Sequence, residues 1–127
     1  MSEPTHPPFG RIGWIDITVP DAAALRDFYA AVVGWHSEGV DMGGYDDFAM
    51  VPEHGDGPAA GICHLDGVND GMPSALWLPY ITVPDLQRCI DACVSLGGAV
   101  VVDRRDSGGF IVIRDPAGAV AALWQPD

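Results

Sequence analysis

Lysine is absent from this 127-residue chain, and its basic side chains are six arginines: Arg11, Arg26, Arg88, Arg104, Arg105 and Arg114. Only Arg104 and Arg105 are adjacent. Nucleic-acid binding draws on several cations gathered on one face, so nucleic acid is not an expected partner. An anionic membrane surface is disfavoured on the same ground, and no apolar run reaches the roughly 18 residues of a membrane span. Cysteine is scarce and odd in number (Cys63, Cys89 and Cys93), with no Cys-x-x-Cys pair. That argues against a disulfide framework or a structural zinc site, and the expected setting is the reducing cytoplasm. Glutamate is nearly missing as well: 15 of the 18 acids are Asp, and the formal net charge is −12. Residues 1–10 are polar and proline-rich, and read as a flexible leader and not as a signal peptide.

What is present is a core and a repeat. Hydrophobic residues make up 48% of the chain against 19% charged, enough to bury an interior. Ile17-Thr18-Val19-Pro20-Asp21 recurs as Ile81-Thr82-Val83-Pro84-Asp85, 64 residues later. The offset persists: Leu25, Phe28, Tyr29 and Val32 fall on Cys89, Ala92, Cys93 and Leu96, and Gly34 falls on Gly98. The chain therefore divides into a first module over 11–65, a turn-rich linker over 66–74 and a second module over 75–127, within one structural domain.

Each module reads as βαβββ. Residues 11–19 and 76–83 are rich in β-branched and aromatic types. Pro20 and Pro84 end those strands, and Asp21 and Asp85 are placed to cap helices. The helices carry apolar residues at i, i+3, i+4 and i+7, a single stripe facing a sheet. Gly34 and Gly97–Gly98 supply the left-handed stop. Three strands follow in each copy, near 36–41, 46–51 and 59–64, then near 99–104, 109–114 and 119–125. The Gly-Gly pairs at 43–44 and 108–109 are hairpin turns, and Asp115-Pro116-Ala117-Gly118 is another. The fold class is α+β: tandem βαβββ modules forming curved mixed sheets around a cavity, one helix per module on the outside. Ligands would occupy that inter-module cavity.

This ordered set of motifs resembles the vicinal oxygen chelate superfamily, which includes glyoxalase I, the bleomycin-resistance proteins and the extradiol dioxygenases. The matching stretches are Val19-Pro20-Asp21, Phe28-Tyr29, Gly34-Trp35, Val83-Pro84-Asp85, Leu96-Gly97-Gly98, and Asp115-Pro116-Ala117-Gly118 with Ala122-Leu123-Trp124. In metal-using members, four His, Glu or Gln ligands come from the first and last strands of each module. They hold a cation that polarises vicinal substrate oxygens. Carried onto this chain, those positions are Trp14, Leu78, Ala122 and a site near Gly61, with Cys63 the nearest ligand-capable neighbour. None is a His, Glu or Gln, so the resemblance implies a member without the usual metal site, and no cofactor is expected. It also implies a homodimer.

Strand alternation sets Trp14, Asp16 and Thr18 on one face, Leu78, Tyr80 and Thr82 on its equivalent, and Ala122 and Trp124 in the same phase. The expected ligand-binding set is Trp14, Asp16, Tyr80, Leu78, Gly61, Cys63, Ala122 and Trp124. Two indoles, a phenol and one carboxylate suit a flat or apolar organic molecule, with Asp16 and Tyr80 orienting it. Gly61 and Ala122 leave room where larger side chains would stand, although the aromatics could instead fill the core. Asp16 is the candidate catalytic residue, as a cation anchor or general base. It could equally pair with Arg114 or Arg11, or face solvent.

The other polar residues carry less. His6 and His54 lie in loops, His36 has no assigned face, and His64 ends a strand out of phase with Gly61, pointing outward. A Glu53, His54 and His64 cluster matches no ligand spacing. Cys89 and Cys93 read as core packing. The remaining Asp excess falls at caps and turns (21, 41, 46, 47, 56, 66, 70, 85, 103, 106 and 115), where the short side chain bonds nearby amides. Three functions follow. The first is a metal-independent, small-molecule binding protein of the glyoxalase and bleomycin-resistance type. The second is a glyoxalase-like isomerase or lyase, with a non-standard metal site or Asp16-centred acid–base chemistry. The third is a structural or regulatory subunit with a filled core.

Overall fold

The computed structural model describes residues 8–126, so most of the proposed leader lies outside the described residues. The elements run β1 (Ile12–Val19), α1 (Ala22–Val33), β2 (His36–Asp41), β3 (Asp46–Val51), β4 (Ala60–His64), a 3-10 turn (Gly67–Asn69), β5 (Trp77–Thr82), α2 (Leu86–Ser95), β6 (Ala99–Arg104), β7 (Phe110–Arg114) and β8 (Val120–Trp124). This is βαβββ twice, with strand bounds within one residue of those read from the sequence. The chain forms two compact units, residues 14–78 and residues 79–126 together with 8–13.

In the 14–78 unit the strand order is β2-β3-β4-β1. β1 and β4 are parallel, with Asp16 opposite Gly61 and Thr18 opposite Cys63. β2–β3 and β3–β4 are antiparallel, with Ala49 opposite Gly61. Helix α1 covers the face that carries Ile17, Phe48, Met50 and Ile62, burying Ala22 among them with Leu25 and Tyr29 alongside. Tyr29 also accepts from the Trp77 indole Nε1–H at 3.2 Å and packs near Trp35, ring centroids 5.9 Å apart. An apolar side chain of this size contributes roughly 1.5–3 kcal/mol when fully buried, so this face supplies the unit's main stabilisation.

The second unit repeats the plan in the order β5-β8-β7-β6, with β5 and β8 parallel and the other pairs antiparallel. Its helix-side core is Val83, Leu86, Ile111 and Leu123, with Cys89 packed against it. Gly10 donates to the Thr82 carbonyl at 2.7 Å and Thr82 donates to the Arg11 carbonyl at 2.9 Å, which fastens residues 10–11 to β5.

The helix punctuation follows the residue chemistry. Asp21 accepts from the Ala24 amide at 3.0 Å and Asp85 from the Arg88 amide at 3.2 Å. Gly34 closes α1 in the left-handed conformation (φ 87°), its amide donating to the Ala30 carbonyl at 3.1 Å. Asp115 gathers the Ala117 and Ala119 amides at 2.8 and 3.0 Å.

The apolar stripe of α1 is narrower than the sequence suggests. Phe28 and Val32 are 55% and 64% exposed, and Leu96 caps α2 at 75% exposed. The buried arc of α1 runs through Ala22, Leu25 and Tyr29; Phe28 and Val32 sit beyond its edge, where the sheet no longer reaches.

No heavy atom lies within 4 Å of the Cβ that an alanine would place at Gly34. The cost of Gly34→Ala is therefore purely conformational. Urea unfolding should show stability lower by about 1 kcal/mol with an unchanged m-value.

Candidate functional site

The strand face opposite each helix carries the residues singled out in the sequence. In the 14–78 unit, register and alternation place Trp14, Asp16 and Thr18 of β1 beside Gly61 and Cys63 of β4, with Asp47 and Ala49 of β3 beyond them. The space beside Gly61 is taken. A Cβ there would lie 3.1 Å from Cζ2 of Trp14 and 3.1 Å from Cβ of Asp16, so the indole lies over the glycine. A Trp at position 14 and a glycine at position 61 are thus complementary in volume.

Asp47 belongs to this face, which corrects its assignment to a turn. It lies within β3 at 6% exposure. Its carboxylate accepts from the His64 backbone amide at 2.8 Å and from Nδ2 of Asn69 at 2.8 Å; the same Asn69 amide donates to the His64 carbonyl at 3.1 Å. A buried carboxylate with this many donors is satisfied, and it ties β3 to the segment leaving β4. Its signal was legible: Phe48 and Met50 face the helix, so strict alternation sends Asp47 to the other side.

Cys63 stands between two acids. Its thiol pKa is pushed well above the ordinary range, first by burial, then by the Asp16 and Asp47 charges, and by donating to the Asp47 carboxylate. Its thiolate form is therefore disfavoured.

In the second unit the equivalent positions hold rings. Tyr80 pairs with Ala122 and Thr82 with Trp124, while β7 sets Val112 opposite Ala122 and Phe110 opposite Trp124. The rings of Tyr80 and Phe110 meet edge to face, centroids 5.6 Å apart, across the small Ala122. Trp124 is 41% exposed, whereas Leu78 and Ala122 are fully covered at 2% and 0%. Phe110 was missed in the sequence because it follows Gly108–Gly109 and was read only as the start of a strand.

The positions that the family resemblance assigned to metal ligands hold Trp14, Leu78, Ala122 and, near the fourth, Gly61, none of which is a His, Glu or Gln; the nearest ligand-capable neighbour, Cys63, is held as a thiol by burial and by the adjoining acids. Among the described residues no group of three or more His, Cys, Asp or Glu is placed to hold a metal ion. The residues present do not fit that cation.

Alkylation of the native protein by iodoacetamide at pH 8, followed by peptide mass spectrometry, should modify Cys63 at least about tenfold more slowly than Cys93. Asp16→Asn should narrow the gap by removing one of the two charges that oppose the thiolate.

Comparison with known proteins agrees with this fold. Residues 14–123 match the Glyoxalase-like domain family. The chain is 33% identical over 120 residues to CFP32 of Mycobacterium tuberculosis (strain CDC 1551 / Oshkosh), covering 91% of this chain and 46% of that protein. It is 32% identical over 130 residues to the anthracycline biosynthesis protein DnrV of Streptomyces peucetius, covering 91% and 47%. The chain thus spans about half the length of these relatives. A crystal structure of a glyoxalase/bleomycin resistance protein/dioxygenase superfamily member from Vibrio splendidus 12B01 shares the fold, with a TM-score of 0.56 at 8% identity, covering 89% of this chain and 97% of that one. With the motifs, the duplicated topology and a family match over most of its length in agreement, this chain belongs to the glyoxalase-like family of the vicinal oxygen chelate superfamily.

Proposed function

We propose that the protein binds a small, flat organic molecule without a metal, on the strand face of the 14–78 unit that carries Trp14, Asp16 and Cys63; the equivalent face of the other unit, with Tyr80, Phe110 and Trp124, is a second candidate surface considered by itself. The observation that carries this reading is the exchange at the family's ligand positions, where an indole laid over a glycine stands in place of donor side chains. Such surfaces hold a ligand by stacking and apolar contact, with Asp16 and Tyr80 as orienting polar groups. DnrV, named as an anthracycline biosynthesis protein, supports anthracyclines as the first compounds to try. A cytoplasmic setting and self-association are part of the same proposal. The three unpaired cysteines support the first, and the exposed Phe28 and Val32 of α1 support the second.

The alternative is a lyase or isomerase that uses Asp16 as a base. It is favoured by one observation, the placing of the Asp16 and Asp47 charges around Cys63. It differs in outcome, because the bound compound would be converted.

A thermal-shift screen of planar polycyclic aromatics, anthracyclines first, tests both. A ligand at 100 times its Kd adds about 2.7 kcal/mol of stability. The shift should persist in EDTA, and Trp14→Ala should weaken binding at least about tenfold. Loss of binding in EDTA with recovery on adding a divalent metal would overturn the metal-independent reading. Chromatography of the recovered compound separates binder from enzyme.

A further inference from the structure

Strand β2 (His36–Asp41) forms one edge of the 14–78 sheet, and all six of its residues are exposed. Two contacts fix its backbone phase. The Met42 amide donates to the Tyr45 carbonyl at 2.9 Å across the hairpin, and the Met50 carbonyl accepts from the Ala59 amide at 2.8 Å on the β4 side. In an antiparallel ladder the bonding direction alternates along each strand. His36, Glu38 and Val40 therefore bond to β3, and the amides and carbonyls of Ser37, Gly39 and Asp41 point outward, away from it. Among the described residues nothing donates to or accepts from that outer row.

Such a row is a template for another strand, and folded proteins usually blunt it with proline, a bulge or charge. The outermost strand of the second unit is blunted: a register shift between Val100 and Val102 interrupts β6. β2 has no proline, and its pairing runs unbroken from His36–Val51 to Asp41–Asp46. It does carry two acids, Glu38 and Asp41, and they restrict which strand can be added.

The strand that suits them is its own copy. Directly opposed residues must both bond across the new seam or both bond away from it, so two copies meet only in registers centred on a residue. Centring on Glu38 opposes two carboxylates, which is destabilising. Centring on Ser37 or on Val40 leaves half of the strand unpaired. Centring on Gly39 sets each Ser37 against Asp41 of the other copy and each Glu38 against Val40, with no like charges directly opposed. The Ser37 hydroxyl then has Asp41 Oδ2 to donate to, since Oδ1 already accepts from the Gly43 amide at 2.9 Å.

We propose that β2 is the seam of a homodimer, in which two copies pair antiparallel about a two-fold axis at Gly39. This names the surface for the self-association proposed above and rests on that reading. Ser37, Gly39 and Asp41 of each copy both donate and accept across the seam, in an isologous contact. The axis stands perpendicular to the sheet, so both α1 helices lie on one side and both Trp14–Asp16 faces on the other.

Sedimentation equilibrium of the full chain between about 20 and 500 μM should show a Kd on the order of 10–100 μM, as a short seam gives. The mass should rise from 13.4 kDa toward twice that value. Over the same range, hydrogen exchange followed by NMR should slow at least about twofold at the Ser37, Gly39 and Asp41 amides. Ser37→Pro removes an outward N–H and no bond to β3. It should hold the mass at 13.4 kDa and leave the urea midpoint of the dilute protein unchanged; if it folds poorly, the wild-type exchange decides. Phe28→Ser with Val32→Ser should leave the dimer intact. A chain that stays at 13.4 kDa throughout would overturn self-association and the seam together. A dimer without added protection at those amides, or one that survives Ser37→Pro and dissolves in the α1 variant, would overturn the seam alone.

Discussion

The parallel pairing of the first and last strand in each unit is the constraint on which the rest depends. It sets Asp16 beside Gly61 and Tyr80 beside Ala122, and through the antiparallel neighbours it determines which side chains share a face. A one-residue slip of a strand in the first pair would turn its share of the indole, carboxylate and thiol to the helix side, and one in the second pair would do the same to the phenol or the Trp124 indole. The helices hold the register indirectly. Each buries an apolar face that exists only when Ile17 and Ile62, or Ile111 and Leu123, stand together under it.

On that frame the positions that the family resemblance assigned to metal ligands carry an indole, a leucine, an alanine and, near the fourth, a glycine. A divalent cation needs convergent donors and enough free space for substrate oxygens. Here the indole of Trp14 fills the space over Gly61, and the nearby polar groups are already committed. Asp47 binds an amide and an asparagine, and Cys63 donates to Asp47. The resulting surface is not inert, because a half-buried acid and exposed aromatic rings remain. Its affinity would come from shape and stacking and not from coordination.

The architecture was readable because duplication wrote each signal twice. The Pro-Asp that ends β1 and caps α1 recurs before α2, and both carboxylates cap as expected. What escaped was set by side-chain direction and by the reach of the sheet. Asp47 looked like turn residue chemistry because it follows Asp46 and the Gly43–Gly44 hairpin, yet its backbone already belongs to the ladder. Phe28 and Val32 fit the helical period but overhang the sheet they were expected to face. Periodicity placed Trp14 on the right face without saying that its ring would turn onto Gly61, since that is a rotamer choice made by the neighbour's missing side chain.

The two registers can be laid on one another position by position. Asp16 then corresponds to Tyr80, Cys63 to Trp124, Asp47 to Phe110, Trp14 to Leu78 and Gly61 to Ala122, while Thr18 matches Thr82. Of these pairs only the threonines are identical, and both are buried, at 5% and 3%. Backbone pairing preserved the places and released the occupants. One copy sets its indole beside two carboxylates and a thiol, whereas the other carries a phenol, a phenyl ring and an indole with no acid among them. Duplication here has yielded two chemically different sets of side chains on one grid, so a substitution on one face need not be matched on the other.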